Sequence, residues 1–242
     1  MDAPGLSLFF PCYNDARSIG ALVERADTVA AGFTADYELI VVDDGSRDDS
    51  AQVLAALARR LPRLRLLSHA RNLGYGAALR TGFRNATKDW VFYTDGDGQY
   101  DVAELPAMLR QIGEGVDLVN GYKISRSDPL HRILIGHVYQ WSMRRLFRYQ
   151  VRDLSCDFRL IRRSALAALD LRRDSGAICV EMAAKLERSG CRTVNAPVHH
   201  LRRPYGASEF FSLRHLWATA TDLVGLWQEL RGAPTESRRA SG

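Results

Sequence analysis

The chain has few cysteines, and none stands where a ligand set would need it. The four are Cys12, Cys156, Cys179 and Cys191. No two form a CxxC pair and their neighbours lack zinc-ligand spacing, which leaves reduced structural thiols in a cytoplasmic protein. No apolar run approaches ~20 residues, so no transmembrane helix is expected. The opening MDAPGLSLFFP carries an acid and too short an apolar run for a signal peptide. A GxxxxGK[ST] loop is missing, which excludes a P-loop NTPase. Asn72-Leu73-Gly74-Tyr75-Gly76 is not a dinucleotide fingerprint, because Leu79 stands at the third glycine and the stretch follows the third expected strand. Its glycines are expected to allow close packing and backbone approach to a ligand. No internal repeat is visible. The basic residues are dispersed, with no aromatic-rich recognition module, which argues against a nucleic-acid binder. A net charge of +5 pulls only weakly towards an anionic partner.

What is present alternates. Strand patterns at Leu6–Phe10, Glu38–Val42, Leu64–Ser68, Trp90–Tyr93 and Val116–Asn120 are separated by helical spacing. The helices expected between them are Ser18–Ala31, one capped by Ser46 or Asp48, Gly76–Ala86 and Asp101–Ile112. This is the pattern of an α/β protein with a doubly wound, mostly parallel sheet. Ligands of such sheets bind beyond the carboxyl ends of the strands. That places Pro11–Asp15, Asp43–Ser46, His69–Asn72 and Asp95–Gln99 on one rim. The second half is less regular. Helices are expected over Pro129–Phe147, Ala177–Ser189 and Phe211–Leu230, a strand over Phe158–Ile161, and extended chain over Arg192–Pro197 and His199–Arg203. Residues 232–242 read as a disordered tail.

The rim is acidic. VFYTDGDGQYD, residues 91–101, runs from an apolar strand straight into Asp95, Asp97, Gln99 and Asp101. Carboxylates this close repel unless a cation lies among them. Hard oxygens at alternate positions suit Mg²⁺ or Mn²⁺, with a diphosphate completing the shell. A calcium EF-hand fails, because its required glycine falls on Tyr100 and its bidentate Glu on Pro106. The bland alternative is helix capping, which Asp101 alone satisfies.

These residues carry a wider pattern. FFPCYNDARSI, ELIVVDDGSRDDS, RNLGYGAALRTGF and YTDGDGQYD resemble, in order, the motifs of family 2 glycosyltransferases, the last being their DxD element. DLSCDFRLIRRSAL and RRPYGASEF resemble elements of the dolichyl- and polyprenyl-phosphate sugar synthases. The likeness spans roughly residues 6–215. It implies a GT-A fold over residues 1–231, with a nucleotide-sugar half to about 122 and an acceptor half from 123. It also implies a nucleotide-diphosphate sugar donor and an inverting, metal-dependent transfer. By matching positions, Pro11, Tyr13 and Asp15 would line the nucleoside pocket, and Asp43 and Asp44 would meet base or ribose. Asp95, Asp97 and Gln99 would hold Mg²⁺ or Mn²⁺ and the diphosphate. Lys123, Arg132 and Arg203 would meet phosphate. Asp15 replaces the family's Glu, Asp157 its Gly and Glu209 its Lys; the last two re-charge the acceptor side.

A polyprenyl phosphate attacks with an oxygen that is already anionic, whereas a hydroxyl acceptor needs a base. Glu181 is the first candidate for that base, with Asp157 and Asp153 behind it. The other reading of Glu181 is an ion pair with Lys185 at i+4. Residues 130–152 and 210–231 mix aromatic, aliphatic and basic residues. The first reads as a peripheral contact with the inner membrane face; the second reads as packing or a homodimer contact. Two alternatives stand beside a polyprenyl-phosphate transferase. One is a soluble family 2 enzyme acting on a hydroxyl. The other is a non-catalytic nucleotide-sugar binder, against which the intact Asp95, Asp97 and Gln99 argue.

Overall fold

Two apolar stretches of the first half become adjacent central strands. β1 (Leu6–Cys12) and β2 (Tyr37–Asp43) are buried along their whole lengths, as parallel strands covered on both faces must be. The structure, a computed structural model, describes residues 3–125, 130–203, 205 and 213–232. Among them β3 (Leu64–Ser68), β4 (Trp90–Thr94), β5 (Val116–Ser125), β6 (Phe158–Arg162) and β7 (Arg192–His199) complete a seven-stranded sheet of order β3-β2-β1-β4-β6-β5-β7. β1 pairs in parallel with β2 and β4, β2 with β3, and β5 with β7; β6 runs antiparallel to both β4 and β5. The expected mostly parallel α/β sheet is therefore present, with one reversed strand inserted between its halves.

Alternation along β1 feeds two cores. Leu6, Leu8 and Phe10 face the layer of α1 (Ile19–Ala31) and α2 (Ser50–Arg60), with Ile19, Leu22, Val23 and Leu54 opposite them. Phe9 faces the other layer, with Ala78, Leu79 and Phe83 of α3 (Tyr75–Asn85). The period of two along a pleated strand produces this division.

The first-half strands fall where the sequence places them, except that β5 continues past the expected Asn120 to Ser125. The helix expected over Asp101–Ile112 is shorter. It is a 3₁₀ turn over Val102–Glu104 followed by α4 (Leu105–Leu109). Pro106 has no N–H to give to a helix begun at Asp101, so the helix restarts at the proline. Later come α5 (Leu130–Phe147), α6 (Arg163–Ala167), α7 (Ala177–Arg188) and α8 (Leu213–Gly232). β7 carries Pro197 and lies at the sheet edge, where a missing donor is tolerated. Residues 232–242 were expected to be a tail; Gly232 closes α8, and 233–242 lie outside the described residues.

The connections position the site. From β1 the chain moves outward through β2 to β3, then returns through α3 to β4 on the other side of β1. The loops after β1 and β4 diverge there, and the crevice between them is the topological switch point.

Candidate active site

The loop after β1 is pinned from outside. Asn14 has φ 57, a left-handed conformation that Asn adopts more readily than most residues. Its N–H donates to Ser46 Oγ at 3.0 Å, and its Oδ1 accepts the Arg47 N–H at 2.8 Å. The Asp15 N–H donates to Ser50 Oγ at 3.1 Å, and its carbonyl accepts the Ser18 and Ile19 N–H groups. Asp15 is thus held by its backbone, while among the described residues its carboxylate receives a 3.4 Å contact from the Tyr13 N–H. Burial raises the Asp15 carboxyl to about 6; Tyr13 opposes this and the charge of Asp97 adds to it.

The loop after β4 closes on the first. A Cβ on Gly96 would stand 2.8 Å from the Pro11 carbonyl oxygen, so only glycine allows this approach. The Ser18 hydroxyl donates to the Gly96 carbonyl at 2.8 Å. Asp97 is buried; its Oδ1 accepts the Gln99 N–H at 3.0 Å and its Oδ2 accepts Arg203 Nη2 at 2.7 Å. Asp95 Oδ1 accepts the Tyr75 hydroxyl at 2.8 Å. Burial, then Asp157, then Asp97 push the Asp95 carboxyl well above the usual carboxylate range. Asp101 is apart from this group: it caps the 3₁₀ turn through the Ala103 N–H at 2.9 Å and pairs with Arg25 at 2.7 Å.

Asp15, Asp95 and Asp97 therefore meet at the switch point, and Arg203 supplies a positive charge to them. Among the described residues no three His, Cys, Asp or Glu side chains form a ready-made metal cage. The donor set nonetheless fits a hard divalent cation. Its oxygens are carboxylates that burial and mutual repulsion leave short of positive charge, and Mg²⁺ characteristically takes one or two carboxylates with phosphate completing its shell. Gln99 Nε2 donates to the Leu201 carbonyl at 3.2 Å, which leaves Oε1 as the ligating end of the amide. The Leu201 N–H donates back to the Gln99 carbonyl at 2.8 Å. That pairing brings the strand-like segment 200–203 alongside Gln99 and sets Arg203 on Asp97.

The remaining expected residues divide. Pro11 is buried at the end of β1, and Tyr13 follows it, half-buried. Asp43 is buried and caps a turn through the Ser46 N–H at 2.9 Å. Asp44 reaches the rim, but its oxygens are engaged inside the protein. Oδ1 takes His69 Nδ1 at 2.6 Å and the Leu73 N–H at 2.9 Å, and Oδ2 takes the Gly74 N–H at 2.9 Å. Asp44 shapes the loop before α3. Lys123 lies on β5, with Nζ on the Ser155 carbonyl at 2.7 Å. Arg132 falls in the first turn of α5; its side chain lies outside the described residues, as does Glu209.

Glu181 is not brought to this group. It is fully buried on α7, and its oxygens accept the N–H groups of Arg172 and Arg173 at 3.0–3.1 Å. Lys185 Nζ lies 2.8 Å away, which is the i+4 pair the sequence allows. A buried carboxylate saturated by backbone donors has no lone pair turned to a substrate. Asp153 is likewise buried, and its Oδ1 accepts the Ser155 hydroxyl at 2.8 Å. Asp157, at the start of β6, is the acid that lies beside Asp95. Its Oδ1 is 3.4 Å from Arg159 Nη1 and 3.4 Å from the Tyr93 hydroxyl.

Two groups behind the site were not singled out from the sequence. Arg159 is 1% exposed and bonds Asn120 Oδ1 at 2.8 Å, the Tyr93 hydroxyl and the Leu154 carbonyl. Its signal was an arginine within the apolar strand FRLI, since a buried charge demands partners. The other is Tyr75, between the glycines of LGYG.

A family model, Glycosyl transferase family 2, matches residues 7–170. An undecaprenyl-phosphate 4-deoxy-4-formamido-L-arabinose transferase of Yersinia enterocolitica is 30% identical over 221 residues, 90% of this chain and 66% of the relative. Its counterpart from Yersinia pestis is 29% identical over the same shares. The chain thus spans just under two thirds of the length of these relatives. Among solved structures, glucosyl-3-phosphoglycerate synthase from Mycobacterium tuberculosis with Mn²⁺, UDP and glucosyl-3-phosphoglycerate superposes with a TM-score of 0.68. It is 20% identical, and the match covers 96% of this chain and 82% of that one. The same enzyme with Mg²⁺ and UDP gives 0.67 at 20% identity, covering 96% and 81%. At that identity the likeness establishes the fold, the GT-A arrangement of sheet and helices.

Proposed function

The chain belongs to glycosyl transferase family 2, and from that premise we propose that it moves a sugar from a nucleotide-diphosphate sugar to a polyprenyl phosphate. One observation carries the donor half of this reading: Asp15, Asp95 and Asp97 converge at the switch point with less positive charge than they require. Asp97, Asp95 and the Gln99 amide oxygen are the residues that would hold Mg²⁺ or Mn²⁺. Such a cation, when bound, stabilises the negative charge that grows on the leaving diphosphate. Pro11, Tyr13 and Asp15 form the wall on which the nucleoside lies, with Asp43 beneath it. Arg203 neutralises Asp97 in the structure; with substrate present it turns to phosphate. Lys123 and Arg132 supply further positive charge on the acceptor side. Attack is in line and inverts the anomeric carbon, so orientation of the two substrates provides much of the rate.

The saturation of Glu181 supports a phosphate acceptor, which needs no base. The names of the Yersinia relatives support the same class. α5 supports access to a lipid. It buries Met143 and Phe147 on one side yet exposes Leu134, Ile135, Val138 and Trp141, with Arg144, Arg145 and Arg148 following. Aromatic, aliphatic and basic groups together suit a peripheral contact with an anionic membrane face. Among the described residues no helix is long and apolar enough to cross a membrane. α8 exposes Trp217 and Val224, the face we assign to packing or a homodimer.

A second reading, transfer to a hydroxyl, rests on Asp157, a carboxylate beside Asp95 at the mouth of the site. Radiolabelled nucleotide sugars incubated with the protein, Mg²⁺ and either undecaprenyl phosphate or soluble glycans separate the two. Label extracted into butanol only with undecaprenyl phosphate is the expected result. Label on a soluble hydroxyl acceptor, with none on the lipid, overturns the proposal.

A further inference from the structure

Tyr75 stands between two glycines at the start of α3, and both glycines are pressed against one stretch of backbone. A Cβ on Gly74 would lie 2.5 Å from the Asp174 carbonyl oxygen, and one on Gly76 would lie 2.2 Å from that of Arg173. The Gly76 N–H donates to the Asp174 carbonyl at 2.7 Å. The stretch 172–174 is itself anchored in the acceptor half. The Arg172 and Arg173 N–H groups are held by Glu181, and the neighbouring Ser175 hydroxyl donates to Asp222 of α8 at 2.6 Å. The backbone of Tyr75 is therefore placed by contacts with Arg173 and Asp174. From there its side chain reaches the end of β4, where its hydroxyl donates to Asp95 Oδ1 at 2.8 Å. The charged neighbours of Asp95 include Asp157, Asp97 and Asp15, which all repel it. Among the described residues, the hydrogen bond that orients the Asp95 carboxylate comes from Tyr75.

We infer that Tyr75 is a positioning residue of the nucleotide-sugar site, its hydroxyl fixing the Asp95 carboxylate and tying it to the anchored stretch 172–174. This gives Glu181 a role at a distance: it holds the backbone on which Tyr75 is seated. It also accounts for the glycines of LGYG, which permit that seating. The inference rests on the reading of Asp95 and Asp97 as the cation and diphosphate site.

Tyr75→Phe removes the O–H and keeps the ring. Mn²⁺ binding, followed by electron paramagnetic resonance in the presence of UDP and separately of GDP, is the measurement. The variant should bind Mn²⁺ about tenfold more weakly, the size expected for one hydrogen bond to a charged group. Phe83→Leu, which thins the core under the same helix, should lower the thermal midpoint and leave Mn²⁺ affinity unchanged. Wild-type affinity in Tyr75→Phe overturns the inference, and so does an equal loss in Phe83→Leu. Asp97→Asn separates the two levels. Loss of Mn²⁺ there, with none in Tyr75→Phe, overturns the role of Tyr75 alone. Wild-type binding in Asp97→Asn overturns the site itself.

Discussion

The two ends of the sheet treat their acids in opposite ways. At the amino end, Glu38 opens β2 and is buried, but the protein satisfies it completely. It accepts the Ser7 hydroxyl at 2.7 Å, the Thr87 N–H at 2.7 Å, the Thr87 hydroxyl at 2.8 Å and Arg65 Nη1 at 2.9 Å. Burial pushes its carboxyl up, yet these bonds outweigh burial and hold it below the usual range. At the carboxyl end, Asp15 and Asp95 are raised, and among the described residues no comparable set of donors surrounds them. A fold that neutralises one buried acid with four bonds and leaves others repelling each other has a use for the second group. The amino end belongs to stability, and the carboxyl end is where we propose that a cation binds.

The largest break in that contrast should come at Asp97. Asp97→Asn is expected to lower sugar transfer by about a hundredfold or more, as loss of a transition-state charge stabiliser does. The same change should leave the circular dichroism spectrum and thermal midpoint of the metal-free protein near wild type. Glu38→Ala should do the reverse. It strands Ser7 and Thr87 donors in the interior, at a cost of about 3 kcal/mol of stability in urea unfolding. Its turnover per folded molecule should match wild type.

The ends should also differ in the sign of their pH dependence. The lowered Glu38 carboxyl contributes stability that is present above its unfolded value of 4.5 and is lost as pH falls through the lower folded value. The Asp15 carboxyl rises from 3.8 to about 6, so the folded state holds its proton longer than the unfolded one does. Stability of the metal-free protein should fall as pH rises through that window, and Asp15→Asn should flatten the slope. Urea midpoints of Glu38→Ala and Asp15→Asn beside wild type, from about pH 3 to about pH 7, check both signs. The smallest effect is expected at Arg203. Arg203→Gln should tighten Mn²⁺ a few-fold in the absence of nucleotide, since the guanidinium holds Asp97 Oδ2 and would compete with a cation for that carboxylate. An unchanged or weaker Mn²⁺ affinity would show that the ion pair does not compete.

Much of the carboxyl end was legible in the chain itself. Short apolar runs ending in DDGS and DGDG mark strands whose rim is polar, and β-α alternation aligns those ends. What sequence could not show is how each acid is used. Glu181 and Asp97 are both buried acids; only the fold reveals that the backbone N–H groups of 172–173 saturate the first, while the second takes the Gln99 N–H and Arg203. Asp44 and Asp43 are neighbours in sequence, yet His69 and the turn before α3 engage Asp44 within the protein. The Arg203–Asp97 pair joins residues 106 positions apart in the chain, beyond any local pattern. Tyr75 was in view as part of a glycine motif, but its partner Asp95 lies on another strand end.

The central claim is that the acids at the switch point form a cation site, which the pairing of Arg203 with Asp97 neutralises only in part. Thermal unfolding with and without saturating Mn²⁺, on wild type and Asp97→Asn side by side, tests it most directly. Mn²⁺ at about 100 times its dissociation constant should stabilise the wild type by about 2.7 kcal/mol and leave Asp97→Asn unmoved. Equal stabilisation of both, or of neither, would contradict it.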